Sequence, residues 1–228
     1  MGLFTQNYVA NGELQDWDAG PVPSQMDAQD TNTTITRLQR SFGEGHGART
    51  AWTDISGESS PGGDRFIYQG SDALRATIAA AGSADDFRLH PEGVSATAWT
   101  GASSYHLPIL AAGHRYRLAV AARCSVDGNL LTLRIVLRDN ADAVLVHLTT
   151  EGSDDRLGLY TWSATTTGVD FGLGTRWGVV GVTFEVPPGS ANSVVENAVW
   201  QIANGTAGAQ VIDIGEIRLE DLTIGFAG

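Results

Sequence analysis

The chain has 228 residues, 42% of them hydrophobic and 18% charged, an ordinary globular composition that can bury one large core. A net charge of −12 excludes a phosphate-tracking surface, which needs clustered cations, and no apolar run approaches the roughly 18 residues of a membrane-spanning helix. A lone cysteine, Cys124, excludes an intrachain disulfide and a cysteine-based zinc site, and its strand-like surroundings suit a small buried apolar residue.

All 14 basic residues are arginine. The plain reading is a GC-rich coding genome; the functional one is a surface using arginine for bidentate contacts with carboxylates of neighbouring subunits. The N-terminus carries no basic and apolar leader pattern, so the expectation is a protein used without that export route or one whose leader was removed.

Asn11-Gly12-Glu13-Leu14-Gln15-Asp16-Trp17 reads as a turn, an apolar anchor, an acidic pair and a tryptophan, placed where a first strand should begin. Gly20 to Asn32 is polar, contains Pro21 and Pro23, and reads as a loop. Thr33 to Phe42 alternates like a strand. Gly43 to Gly63 holds six glycines and Pro61 around the island Ala51–Ile55. The stretch at about 18–65 is therefore expected to be an irregular, loop-rich insertion in a single domain spanning 1–228. Asp72 to Ala79 alternates, with Ala73, Arg75 and Thr77 on one side and Leu74, Ala76 and Ile78 on the other.

Past residue 105 the period of two is plain. Tyr116, Leu118, Val120 and Ala122 alternate with Arg115, Arg117, Ala119 and Arg123. Asp127-Gly128-Asn129 follows as a tight-hairpin signal. Leu131, Leu133, Ile135 and Leu137 form the next inward face, opposite Thr132, Arg134 and Arg138. Asp139–Asp142 makes a further turn before Val144, Val146 and Leu148, which predicts an antiparallel meander. Glu151 to Gly174 is mixed. Trp177 to Val186, Val194 to Ile202 and Val211 to Leu222 supply later strands, the last two joined by a turn at Asn204–Gly208. The total is about eight to ten strands, with no helical period and no internal repeat, so the fold class is all-β, an antiparallel sandwich.

No nucleophile elbow, phosphate loop or His-x-x-x-His pair occurs, and the glycine-rich Gly43–Gly47 opens no helix. Carboxylates at Glu151, Asp154, Asp155 and Glu185 have no spacing that pairs them across a cleft. The expectation is a protein that is not an enzyme.

Four landmarks, in order, resemble a known group. Asn11–Trp17 is similar to the opening "Asn-Gly-acidic-Phe-Glu-x-Trp" strand of carbohydrate-binding-module-like β-jelly-roll proteins. These occur as modules of secreted glycosidases and as head-decoration, fibre and tail proteins of bacteriophages. Leu110–Leu118 looks like their "leucine…Gly-x-x-Tyr-x-leucine" strand, Trp177–Pro187 like their "Trp…Thr-Phe-x-Val-Pro" strand, and Ile212–Leu219 like the strand that closes beside the first.

The resemblance implies a jelly roll of galactose-binding or carbohydrate-binding-module type and a non-enzymatic function. The function is that of a bacteriophage virion structural protein, a capsid-decoration, head-fibre or tail-associated subunit on the virion surface, contacting host-surface glycans. The alternative is a carbohydrate-binding module of a secreted bacterial glycoside-active enzyme. Expected partners are other virion proteins, further copies of the chain and a cell-surface glycan, with no nucleic acid and no membrane insertion. Arg115, Arg117, Arg134 and Arg138 are the candidate interface residues, as cations on an acidic chain. Sugar-binding members stack pyranose rings on exposed aromatics, which here implicates Trp52, Trp99, Tyr105, Tyr160 and Trp162; Trp17, Trp177 and Trp200 fit the core or its edges. Many relatives hold calcium between the first and closing strands. Glu13, Asp16, Asp213 and Glu216 would be its ligands, although Gln15 and Gly215 stand where carboxylates are usual and weaken the site.

Overall fold

The computed structural model describes residues 7–17, 20–39, 72–97, 99, 108–138, 144–154, 159–163, 168–187 and 195–223, with the backbone alone for 39, 144–154, 159–163 and 195–197. The strands among them are β1 (Met26–Asp30), β2 (Thr33–Gln39), β3 (Asp72–Ile78), β4 (Phe87–Pro91), β5 (Ile109–Ala111), β6 (Arg115–Cys124) and β7 (Leu130–Arg138), then β8 (Val144–Asp154), β9 (Leu159–Ser163), β10 (Val169–Gly172), β11 (Gly178–Glu185), β12 (Val195–Asn204) and β13 (Gln210–Asp221).

They form one hydrogen-bonded path, β1-β4-β12-β7-β8-β9-β11-β6-β13-β3-β2, with β5 along β12 and β10 along β7. The path folds over at β8–β9 into two layers. Leu131, Leu133, Ile135, Leu137 and Trp200 of the first layer share one buried cluster with Leu74, Leu118, Val120, Ile212 and Ile217 of the second. Successive strands cross between layers at β1–β2, β3–β4, β5–β6–β7 and β9–β10–β11–β12–β13, the winding of a jelly-roll β-sandwich. The pairings are antiparallel except β9–β11, which is parallel.

Alternation set the faces correctly. In β3, Leu74, Ala76 and Ile78 are buried in the core, and Arg75 lies opposite Asp213 on the outer face. In β13 the inward set is Ile212 and Ile214, then Ile217 and Leu219. This change of parity is produced by the bulge between Ile214 and Glu216. The extra residue is Gly215, which makes this glycine a backbone device.

Several expectations are corrected. The Asp127–Gly128 turn does not make a hairpin: β6 pairs with β11 and β13, whereas β7 pairs with β12, β8 and β10. Both strands turn long apolar faces inward, and burying those faces against each other puts the strands in opposite layers. The β7–β8 pairing is formed as expected. Gly20–Asn32 is not all loop, because β1 lies inside it. The strand total exceeds the eight to ten expected, since β4, β5, β9 and β10 are short and lie in stretches of mixed polarity. Residues 40–71, most of the proposed insertion, and Asp139–Asp142 fall outside the described residues.

Asn11–Trp17 is also not a strand. Asn11, at φ 51°, is the hub of a turn. Its amide N–H group donates to the carbonyls of Asp16 (2.7 Å) and Ser24 (3.0 Å), and its amide oxygen accepts from the N–H of Gln15 (3.1 Å) and Asp16 (3.0 Å). The segment nevertheless lies beside the closing strand as predicted. Tyr8 N–H donates to Leu219 O, Ile217 N–H donates to Gly12 O, and Asn7 bridges Glu220. A Cβ on Gly12 would stand 2.2 Å from the Ile217 carbonyl oxygen, so this approach requires glycine.

Candidate functional site

The outer face of the first layer carries the one polar cluster, among the described residues, built from several strands around a partly exposed guanidinium pair. In β4, Phe87 and Leu89 point inward, which sends Arg88 and His90 outward. In β7, Leu133 and Ile135 point inward and Arg134 outward; in β12, Trp200 and Ile202 point inward and Gln201 outward. Gln201 stands directly opposite Arg134 in the β12–β7 register. Asp85, from the turn before β4, completes the cluster.

Asp85 receives Arg134, whose Nη2 lies 2.9 Å from Oδ1 and 3.0 Å from Oδ2, while Arg88 Nη2 lies 3.6 Å from Oδ2. Arg134 Nη1 also donates to Gln201 Oε1 (2.9 Å), and Gln201 Nε2 donates to the Ala96 carbonyl (2.9 Å). Gln201 is fully buried, so it positions Arg134 and does not itself meet solvent. The side chains of Arg88, Arg134 and Asp85 keep 18%, 14% and 29% of their surface exposed, enough for a ligand to reach them. Beside them the Thr132 hydroxyl donates to the exposed Asp170 carboxylate (2.6 Å), and Gly93 N–H donates to Asp27 (2.7 Å).

The cluster is rigidly mounted. Asp85 has φ 66°, a left-handed conformation, and its N–H donates to Asn204 O (2.9 Å). Asn204 is fully buried and bonds through its side chain to Phe87 N–H (2.9 Å), Ser83 O (2.8 Å) and Thr206 O (2.9 Å). One asparagine therefore ties the turn before β4 to the end of β12. The other half of the face is capped: Val94 and Trp99 pack on Val136 and Val199. Arg138 Nη1 donates to the Trp99 carbonyl (3.0 Å). Trp99 sits at φ 61°, a conformation rare for a large side chain. His90, buried on the same strand as Arg88, has its pKa lowered, chiefly by burial.

The predicted site residues divide clearly. Trp52 and Tyr105 lie outside the described residues, as do the side chains of Tyr160 and Trp162, whose backbones belong to β9. Trp99 is 4% exposed, so it is a packing residue of the cap and not an open platform for a sugar. Trp200 and Trp177 are buried; Trp17 is half-buried against the core and stacks with Arg37, 4.9 Å from its ring centroid.

The proposed calcium ligands are not brought together. Asp213 is fully buried on the outer face of the second layer. There Arg75 meets both of its oxygens (2.8 and 2.9 Å) and Arg123 a third time (3.0 Å), with Arg123 lying over the Trp177 ring. Glu216 pairs with Arg218, and Glu13 accepts from Gln15 (2.9 Å). No group of three potential metal ligands occurs among the described residues. Of Glu13, Asp16, Asp213 and Glu216, the structure thus pairs Asp213 and Glu216 with arginines and Glu13 with Gln15.

Of the arginines expected at an interface, Arg115 and Arg117 are exposed on the second layer's outer face, with Arg115 paired to Glu185 (3.3 Å). Arg138 is fully buried and Arg134 belongs to the Asp85 cluster, so neither offers a free interface cation. Asp85, Arg88 and Gln201 escaped the sequence reading. The alternation Phe87-Arg88-Leu89-His90 was the available signal, too short to stand out from its polar surroundings.

No protein-family model and no curated protein sequence matches the chain. Among solved structures it is similar to the enzymatically active domain of tailspike protein 4 of Bacteriophage CBA120, at 12% identity and TM-score 0.48, over 95% of this chain and 21% of that one. It is similar to an arabinose-bound α-L-arabinofuranosidase at 14% identity and TM-score 0.49, over 96% of this chain and 27% of that one. A xylan-binding domain from Paenibacillus barcinonensis is similar at 7% identity and TM-score 0.42, over 96% of both chains. The chain thus spans about a fifth of the tailspike domain and about a quarter of the arabinofuranosidase. With TM-scores below 0.5, the fold assignment rests on this chain's own strand order and register.

Proposed function

We propose that the protein is a non-catalytic glycan-recognition module, with the outer face of its first layer as the binding surface, working as a subunit of a bacteriophage particle. The observation that carries the reading is the Asp85–Arg88–Arg134 cluster, partly open to solvent and fixed by Gln201 and Asn204. Vicinal sugar hydroxyls are held by planar polar side chains that donate and accept in pairs. Such groups are selective only when mounted on rigid strands. The four-landmark resemblance of the sequence points the same way.

A non-catalytic role fits the charges. Asp85 is committed to an arginine, and the pKa of Asp221 is lowered, opposite to what a general acid for glycoside cleavage requires. The subunit role is supported by the second layer, whose outer face exposes Arg115, Arg117 and Arg218 among acidic residues. The second reading, a carbohydrate-binding module of a secreted glycoside-active enzyme, uses the same face in another setting.

Glycan-array binding followed by calorimetry tests the site. At least one polysaccharide should bind, with affinity lowered tenfold or more by Arg134→Ala in a protein that still folds. A folded wild-type chain with no glycan hit would sink the recognition role. Size-exclusion with light scattering tests the subunit role: an assembly is expected, and a clean monomer that joins no particle component counts against it.

A further inference from the structure

We infer that the glycan taken at this face is an acidic one, its carboxylate seated on Arg88; this rests on the glycan-recognition reading and names the ligand class. Arg88 is held unlike other arginines of the strands. Arg75 and Arg123 reach Asp213 at 2.8 to 3.0 Å, and Arg134 reaches Asp85 at 2.9 Å. Arg88 instead lies 3.6 Å from Asp85, 3.3 Å from Gln29 Oε1 and 3.4 Å from the Ala96 carbonyl. Charge-assisted guanidinium–carboxylate bonds close to about 2.8 Å and are often bidentate. A guanidinium held only by long contacts, and 18% exposed, retains that capacity for a ligand.

The pairing around Asp85 agrees. Two guanidinium groups, Arg88 and Arg134, share the single carboxylate of Asp85, and Asp85 is drawn to Arg134. The nearby carboxylates accept from uncharged donors, Asp170 from the Thr132 hydroxyl and Asp27 from Gly93 N–H, and keep their charge. A uronate or sialate carboxylate would take the Nη1 edge of Arg88 in place of its long contacts to Gln29 and Ala96, while Asp85 and Arg134 meet neighbouring hydroxyls. On a chain of net charge −12, long-range electrostatics repel a polyanion, so binding of one must come from a local site.

The test is titration calorimetry of the whole chain. The acidic ligands are polygalacturonate, alginate, hyaluronan and polysialic acid; the neutral ones are xylan, β-1,4-galactan and β-glucan. Each acidic polymer is also tested after chemical reduction of its carboxyl groups to alcohols. At least one acidic polymer should bind tenfold or more tighter than its reduced form. Arg88→Gln should erase that difference while leaving the thermal midpoint near wild type. Equal binding of native and reduced polymer, or binding of neutral polymers alone, overturns the carboxylate assignment and leaves glycan recognition standing. Binding of none of these ligands overturns both. The reduced-polymer comparison needs no variant, so it decides the matter even where Arg88→Gln fails to fold.

Discussion

Asp213 decides more than any other single residue. It is fully buried yet charged, and three arginine contacts compensate the lost hydration. Asp213→Ala removes the buried carboxylate that Arg75 and Arg123 share, so it should cost about 3 to 5 kcal/mol in urea unfolding. A loss below 1 kcal/mol would mean that the arginines find other acceptors. His90 governs the acid side. Burial lowers its pKa from 6.5, so the folded state prefers the neutral ring. The unfolded chain therefore binds more protons below pH 6.5, and stability falls as pH drops toward the lower folded value. His90→Gln should flatten the dependence of the thermal midpoint between pH 7 and 5. Asp221 adds to this at lower pH. Burial pushes its pKa up, but bonds from His114 (2.7 Å) and Thr223 N–H outweigh that and lower it, so its contribution is lost below the ordinary aspartate range. Tyr116 closes the alkaline side. Burial pushes it up to about 12, so its contribution is lost as pH rises from 10 through that value.

At the scale of elements, Asn204 and the β13 bulge do the positioning. Asn204 ends β12 and holds the turn that carries Asp85. Asn204→Ala orphans the buried Phe87 N–H and should destabilise the protein by about 3 kcal/mol, from a typical 1 to 3 kcal/mol per unsatisfied group. It should also weaken glycan binding, read by calorimetry on the folded fraction; unchanged affinity would show that Asp85 does not depend on this tie. The bulge at Gly215 turns Ile217 and Leu219 back to the core, and Gly12 lets the N-terminal segment reach Ile217. Gly12→Ala should lower the thermal midpoint by several degrees, because its Cβ meets backbone that has no room to yield. The long strands β6, β7, β11, β12 and β13 were legible because each repeats its inward apolar residues for eight or more positions. β4, β5 and β10 span five, three and four residues, too short for a period to rise above composition.

For the molecule as a whole, alternation in the sequence determined an all-β chain, the faces of its long strands and the burial of Cys124 and Trp200. Each of these follows from the period-two pleat, which is a local property of the chain. The sequence did not determine which strands pair. The Asp127–Gly128 turn carries the chemistry of a hairpin, yet β6 and β7 face each other across the core, since burying two apolar faces outweighs pairing two edges. Nor did it place Asp85, Arg88, Arg134 and Gln201 together, because they come from a turn and three strands that meet only in the folded sheet. Trp99 and Arg138 read as surface residues and are buried, one capping the sheet and the other holding that cap through a carbonyl. Alternation fixes which way a side chain points relative to its own strand; whether solvent or another segment lies in that direction is settled only by tertiary packing.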